Sequence, residues 1–310
     1  MNRFQQQHHA LGSEVFLTLV TEKDETATNR LFDRLLKHIT AFEQQFSRFL
    51  PDSELTRFNQ QAGRRTVVSP SFGRLLKAAK SLAERTGGLY NPFVLPALQR
   101  AGYLGSWPKP EADLAATNFT TRKLVAVDQL SIGDLWAKIP ETAALDFGGI
   151  GKGYLLDELA EMLDTQKLVG YWLSLGGDII CSGHDLDNQE WQVAVQNAVE
   201  LGKNVQTIVN QQSRKLAIAT SGITKRQGIK NGQTWHHIID PRTGHPADTN
   251  ILTVTVTADK AANADVYAKC IVIAGAEQAE KCKTSGVIKS FLLQTVGQTA
   301  TMTREGSEHK

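Results

Sequence analysis

Apolar residues recur at Leu31, Leu35, Ile39, Phe42 and Phe46, three or four apart, which is the spacing of one stripe along a helix over residues 25–46. The same period at Leu75, Leu76, Ala79 and Leu82 predicts a second helix over residues 71–86, stopped by Gly87-Gly88. Between them Pro51-Asp52-Ser53 opens a short helix, with Asp52 or Ser53 as its cap. Upstream, Val15, Phe16, Leu17, Thr18 and Val20 are strand formers and make residues 11–21 a first strand.

In the second half, strand and helix patterns alternate. Residues 143–147 read as a strand, 154–163 as a helix, and 171–181 as one buried strand with Gly176-Gly177 inside it. Residues 192–195 and 216–219 read as further strands, and the strict alternation of residues 252–258 (LTVTVTA) predicts a half-buried one. Helices are predicted over 261–274 and 277–284, and a last strand over 287–293. A Trp- and Pro-containing stretch at 102–116 reads as surface loop. With no regular strand–helix–strand repeat, the fold class is α+β: one large domain of mixed sheets with packed helices over residues 10–300. Residues 1–9 read as a flexible leader and 301–310 as a flexible tail.

Composition narrows the field. At 310 residues with 41% hydrophobic and 21% charged residues, the chain can bury a sizeable core. A net charge of +2 with no basic block makes no case for nucleic acid as a partner. Cys181, Cys270 and Cys282 are too widely spaced for a metal pair or a disulfide framework, so they read as thiols in a reducing compartment. No apolar run is long enough for a membrane span. The N-terminus lacks a signal-peptide core, and the expected location is cytoplasmic. His8-His9 reads as part of the polar leader, not as a metal site.

Two stretches carry chemistry. Residues 144–154 (ALDFGGIGKGY) end an apolar run in an acid, a glycine-rich turn and Lys152, with a helix after it. Such a turn lets backbone N–H groups approach an anion, and the helix start adds positive potential. Residues 234–244 (TWHHIIDPRTG) place His237, Asp240 and Arg242 within six residues around a proline turn. Together they suggest a nucleotide-processing enzyme. His237 is the candidate base, since an imidazole accepts a proton near neutrality, and His236 reads as a bystander. Lys152 either holds a phosphate or an adenine-side contact, or is a solvated lysine at a helix start. Asp146 either binds a nucleotide or caps the turn. Asp240 and Arg242 read as orienting their own turn.

Several segments in order resemble the ApbE flavin transferases, the FAD:protein FMN transferases. They are residues 10–13 (ALGS), 46–55 (FSRFLPDSEL) followed by Asn59, and 87–92 (GGLYNP) with Pro96 and Leu98. Residues 146–154 (DFGGIGKGY), 174–178 (SLGGD), 219–222 (ATSG) and 237–244 (HIIDPRTG) complete the set. The likeness spans residues 10–295, and so many elements in the right order are a strong signal.

The resemblance implies an ApbE-like fold with a T-fold-like core. It implies an enzyme that binds FAD, splits its diphosphate and moves the FMN half onto a Thr or Ser hydroxyl of an acceptor protein, releasing AMP. It also implies a divalent cation, normally Mg2+. Carried onto this chain, the flavin-nucleotide residues are Leu11, Phe49, Leu89, Tyr90, Asn91, Asp146, Lys152, Thr220, Ser221, Gly222, His237 and Ile239. His237 and Asp265 are the implied catalytic residues, and the metal would be held by the Gly149 carbonyl and Asp265.

The chain departs from that pattern in two places that bear on chemistry. Where the family carries Asp-x-x-x-Thr on a helix, this chain has Asp265 followed by Lys269. Positions four apart share a helix face, so Lys269 is expected beside Asp265, either crowding the cation position, with an oxygen ligand lost and the ion repelled, or snorkelling outward with a water in the gap. The other departure is Asn91 in place of an aspartate, which keeps an acceptor and adds donors. Leu11, where a methionine is usual, is a conservative apolar change. Lys269 keeps two alternatives open beside transfer: a FAD-binding paralogue with little chemistry, and a FAD diphosphate hydrolase using water as acceptor.

Overall fold

The computed structural model describes residues 1–105, 123–200, 202–211, 214–230 and 233–296. The chain opens with strands β1 (Asn2–Ala10) and β2 (Ser13–Thr21) and helices α1 (Glu25–Phe46) and α2 (Glu54–Gln60). Strand β3 (Thr66–Val67), helices α3 (Pro70–Arg85) and α4 (Leu95–Ala101), and strands β4 (Ser131–Ile132) and β5 (Trp136–Lys138) lead to helix α5 (Gly151–Asp164). Next come β6 (Gly170–Leu175), β7 (Asp178–Gly183), β8 (Gln192–Gln196), β9 (Asn204–Val209) and β10 (Leu216–Gly222). Four short strands follow, β11 (Gln227–Lys230), β12 (Gln233–His236), β13 (Ile239–Asp240) and β14 (His245–Pro246). Strand β15 (Ile251–Ala258), helices α6 (Ala261–Ala274) and α7 (Ala276–Thr284), and strand β16 (Ser290–Thr295) complete the described fold.

The architecture is α+β, a single domain built on one large sheet. Among the described residues seven strands form that sheet in the order β1-β2-β6-β7-β10-β15-β16, each antiparallel to its neighbours. Val15, Leu17, Leu173, Ala217, Val254 and Val256 on one face share a core with the apolar stripes of α1, α5 and α6. The opposite face is covered over its middle by the β8–β9 hairpin, where Val193, Val195 and Ile208 pack on Ile179, Ile218 and Leu292. No helix among the described residues is long and apolar enough to cross a membrane.

The expected helices are present, α4 was not foreseen, and Ser53 is the cap of α2, its Oγ accepting from the Thr56 N–H at 3.0 Å. Four strand expectations need correcting. Residues 1–9, expected to be mobile, belong to an edge strand. All nine residues of β1 pair with β2, from Asn2 opposite Thr21 to Ala10 opposite Ser13. Its run of Gln and His leaves no apolar alternation to read, as suits a polar edge. Residues 171–181 are not one strand but the β6–β7 hairpin, turned at Gly176 (φ 61°) and Gly177 (φ 94°). Two successive positive φ values are what glycine tolerates without a Cβ penalty. The alternating β15 is buried on both faces instead of one. Two of its threonines are satisfied inside the sheet, Thr255 by Thr220 at 2.9 Å and Thr257 by Ser290 at 2.7 Å, while the buried Thr253 hydroxyl has no partner among the described residues.

Residues 143–147 join no ladder. The Asn59 side chain acts as the strand partner: its Nδ2 donates to the Leu145 carbonyl at 2.9 Å, and the Leu145 N–H donates to its Oδ1 at 2.8 Å. Most of the loop expected at 102–116, and the tail at 301–310, lie outside the described residues.

Candidate active site

The glycine turn is held from three sides. The Asp146 N–H donates to the Pro92 carbonyl at 2.8 Å, and its Oδ1 accepts from the Gly148 N–H at 2.7 Å. Its Oδ2 meets Arg48 Nε at 2.7 Å. Next along, Phe147 packs between Phe46 and Phe72, with ring centroids 6.0 and 5.8 Å away. Asp146 therefore anchors the turn. Helix α5 starts immediately after it, with no side-chain cap bond at Ile150, so its positive end faces the cleft that Gly149, Gly151 and Lys152 line. Gly153 faces the other way. A Cβ there would stand 2.4 Å from the Ala261 carbonyl oxygen, so only glycine lets α5 start this close to α6. The gain is a hydrogen bond from the Gly153 N–H to Asp265 Oδ2 at 3.3 Å.

The cleft has a volume of about 520 Å³ and is bounded by elements distant in sequence. One rim is the β1–β2 turn, where Leu11 sits at φ 56° with its N–H bound to Glu43 Oε1 at 2.9 Å. A non-glycine residue in that region costs free energy and persists where the surroundings hold it, as this carboxylate does. Phe49 and Tyr103 stack edge to face at 6.1 Å, and the Arg48 guanidinium lies 4.2 and 4.7 Å from their centroids. Leu89, Tyr90 and Asn91 form another wall. Asn91 is occupied structurally, its Oδ1 capping the Phe93 N–H at 2.9 Å and its Nδ2 reaching the Val125 carbonyl at 2.9 Å. His237, Ile238, Ile239 and Pro241 line the same cleft as the glycine turn.

Charge is distributed unevenly. Lys152 pairs with Asp178, and Lys269 with Asp265. Both lysines line the cleft and both aspartates do not. Burial would lower the Lys152 ammonium, but Asp178 and Asp265 outweigh it and hold the group above its ordinary range. Burial pushes the His237 imidazole down to about 3, with Arg226, Lys269, His236 and Lys152 adding to the shift. His237 is thus a neutral imidazole, and among the described residues its buried Nδ1 has no hydrogen-bond partner. His236 is tied to the Ala247 carbonyl at 3.0 Å. Arg242 and Asp240 form a two-pronged pair within their own turn, at 2.7 to 3.1 Å.

Of the residues singled out in the sequence, Leu11, Phe49, Leu89, Tyr90, Asn91, Asp146, Gly149, Lys152, His237, Ile239 and Lys269 come together around this cleft. Thr220, Ser221 and Gly222 do not line it. They lie on β10, where the Thr220 N–H donates to Asp178 Oδ1 at 3.4 Å. Asp265 does not line it either. Sequence reasoning missed Arg226, which enters the cleft from a position at φ 51°. A single arginine in a loop gives no periodic or spacing signal. Arg48, Glu43 and Tyr103 were also missed; Arg48 sits inside the 46–55 segment and could have been weighed.

The divalent cation that the family resemblance implies does not fit these residues. A cation needs the Asp265 carboxylate free, and here Lys269 holds one oxygen while the Gly153 N–H is on the other. Among the described residues, no group of three or more His, Cys, Asp or Glu side chains is arranged to hold a metal.

The ApbE family model matches residues 11–289. The chain is 27% identical over 286 residues to a FAD:protein FMN transferase of Haemophilus influenzae, covering 89% of this chain and 80% of that protein. It is 31% identical over 252 residues to one of Vibrio cholerae, covering 79% and 73%. In fold it is similar to the crystal structure of the ApbE protein from Thermotoga maritima, with a TM-score of 0.84 at 23% identity, covering 98% of this chain and 97% of that one.

Proposed function

The chain belongs to the ApbE family, and from that premise we propose that it is a FAD:protein FMN transferase, moving the FMN half of FAD onto a Thr or Ser hydroxyl of an acceptor protein with release of AMP. The observation that carries this reading is the convergence of Lys152 and His237, far apart along the chain, on one cleft. One wall supplies cations and a helix start suited to a diphosphate. The other supplies a neutral base. The aromatic and aliphatic rim of Leu11, Phe49 and Tyr103 offers flat apolar surface for a flavin ring.

The step is an in-line displacement. The acceptor hydroxyl oxygen attacks the FMN-side phosphorus, the bond from that phosphorus to the bridging oxygen breaks, and the electron pair leaves with AMP. His237 takes the hydroxyl proton. Burial is the largest cause of the low His237 value; a bound diphosphate offsets the smaller contribution from Arg226, Lys269 and Lys152 and so raises the imidazole from about 3. Lys152 and Arg226 hold the diphosphate and oppose the charge growing on the leaving oxygen. Asp146, Asn91 and Glu43 position the turn and rim and do not touch the reacting atoms. Thr220 acts at one remove, through Asp178 on Lys152.

The test incubates the protein with FAD and a threonine-bearing acceptor domain. Flavin fluorescence that stays with the acceptor through denaturing electrophoresis, with one AMP released per flavin attached, is the expected result. Free FMN in place of acceptor-bound flavin, or no AMP at all, contradicts it.

A further inference from the structure

Lys152, Asp178, Asp265 and Lys269 form a charge-balanced cluster beside the cleft, which both lysines line. Lys152 pairs with Asp178 from β7, and Lys269 pairs with Asp265 one turn earlier on α6. The two pairs are neighbours, since Asp265 acts on Lys152, and Lys269 acts on Asp178. The aspartate side chains are 2% and 3% exposed, while Lys269 and Lys152 retain 19% and 22%. Each pair therefore turns its negative end into the protein and its positive end toward the cleft.

Lys269 is fixed in this attitude. Its Nζ also donates to the Asp265 carbonyl at 3.3 Å, and its Cδ would stand 3.7 Å from a Cβ built on Gly149. The lysine stem thus runs along the glycine turn and its ammonium ends on Asp265 beside it, close to where a cation neutralising the diphosphate would be needed. Arg226 acts on His237 and Lys152 from the same space.

We propose that Lys269, together with Lys152 and Arg226, takes the place of a divalent cation in this chain, so that FAD is bound and its diphosphate neutralised by fixed ammonium and guanidinium groups without added metal. This rests on the transferase reading above. A divalent ion would have to displace Lys269 from a carboxylate buried in protein, and it would meet the positive faces of two neighbouring cations.

Calorimetric titration of FAD into the protein, once with EDTA and once with excess MgCl2, tests the proposal. FAD affinity is expected to be the same within about twofold, and MgCl2 titrated into the protein–FAD complex is expected to give no binding heat. Replacing the ammonium by a hydroxyl in Lys269→Thr uncovers Asp265 and gives an ion room. That variant is expected to bind FAD about tenfold or more weakly in EDTA and to regain affinity with MgCl2, whereas Lys269→Arg stays indifferent to metal. Magnesium-dependent FAD binding by the unaltered protein overturns the proposal and leaves the transferase reading standing. Absence of FAD binding under both conditions overturns the transferase reading itself. Because the first comparison needs no variant, its outcome decides the matter even if Lys269→Thr misfolds.

Discussion

Arg48 and Asp146 meet at 2.7 Å with side chains only 7% and 8% exposed, joining the loop after α1 to the glycine turn that starts α5. The guanidinium is also stacked on Phe49 and Tyr103 and donates to the Tyr103 carbonyl at 3.2 Å. One side chain therefore sets the distance between the aromatic rim and the phosphate end of the cleft.

Removing one member of such a pair strands the other. Arg48→Leu is expected to cost about 3–5 kcal/mol of folding free energy, and thermal denaturation measures it. Because the loss comes from the orphaned Asp146 carboxylate, adding Asp146→Asn should recover part of it. A double variant no more stable than Arg48→Leu would contradict the pairing.

Gly149 has little room for a side chain. A Cβ would come within 3.0 Å of Tyr90 Cε2, a ring atom in a buried side chain. Gly149→Ala is expected to lower stability by about 1–3 kcal/mol and to weaken FAD binding, because Tyr90 and the turn both shift. Titration with FAD alongside denaturant unfolding separates the two effects.

Asn59 replaces a whole β-ladder partner for Leu145. Truncation in Asn59→Ala leaves the Leu145 N–H and carbonyl unpaired beside a fully buried side chain, at a cost of about 1–3 kcal/mol. Asn59→Asp keeps the acceptor but loses the donor, so its stability by denaturant titration is expected to fall between Ala and Asn.

The pH dependence of stability follows from His237. Its imidazole is held at about 3 in the folded protein, while an unfolded histidine titrates at about 6.5. Between those values the unfolded chain binds the extra proton, so stability is present above about pH 6.5 and is lost as pH falls toward 3. His237 alone is expected to remove about 2 kcal/mol between about pH 7 and pH 5. Burial lowers His236 too, adding loss of the same sign. His237→Gln should flatten the slope, read from urea midpoints at the two pH values.

What the sequence revealed follows from which signals are local. Helical stripes such as Leu31 to Phe46 and caps such as Ser53 are written within a few residues, and α1, α2, α3 and α6 stand where they were expected. Strand β1 carries no apolar alternation because it is a polar edge whose side chains stay largely in solvent. The β15 threonines look polar in one dimension and are buried in three, because the β8–β9 hairpin covers that face of the sheet. The cleft was legible wherever residues came in ordered segments, as with Lys152 and His237. Arg226, Arg48 and the Asn59 contact to Leu145 depend on chain crossings of dozens of residues, which no spacing reports. The Lys269–Asp265 pairing was legible because four residues make one helical turn. That Lys152 and Asp178 stand beside it was not.

A structure of the protein with FAD bound tests the convergence of the two walls most directly. The diphosphate is expected between the ammonium groups of Lys152 and Lys269 on one side and the His237 imidazole on the other, with the flavin ring at the Leu11, Phe49 and Tyr103 rim. A diphosphate lying away from Lys152, or a His237 imidazole with no path to the FMN-side phosphorus, would contradict it.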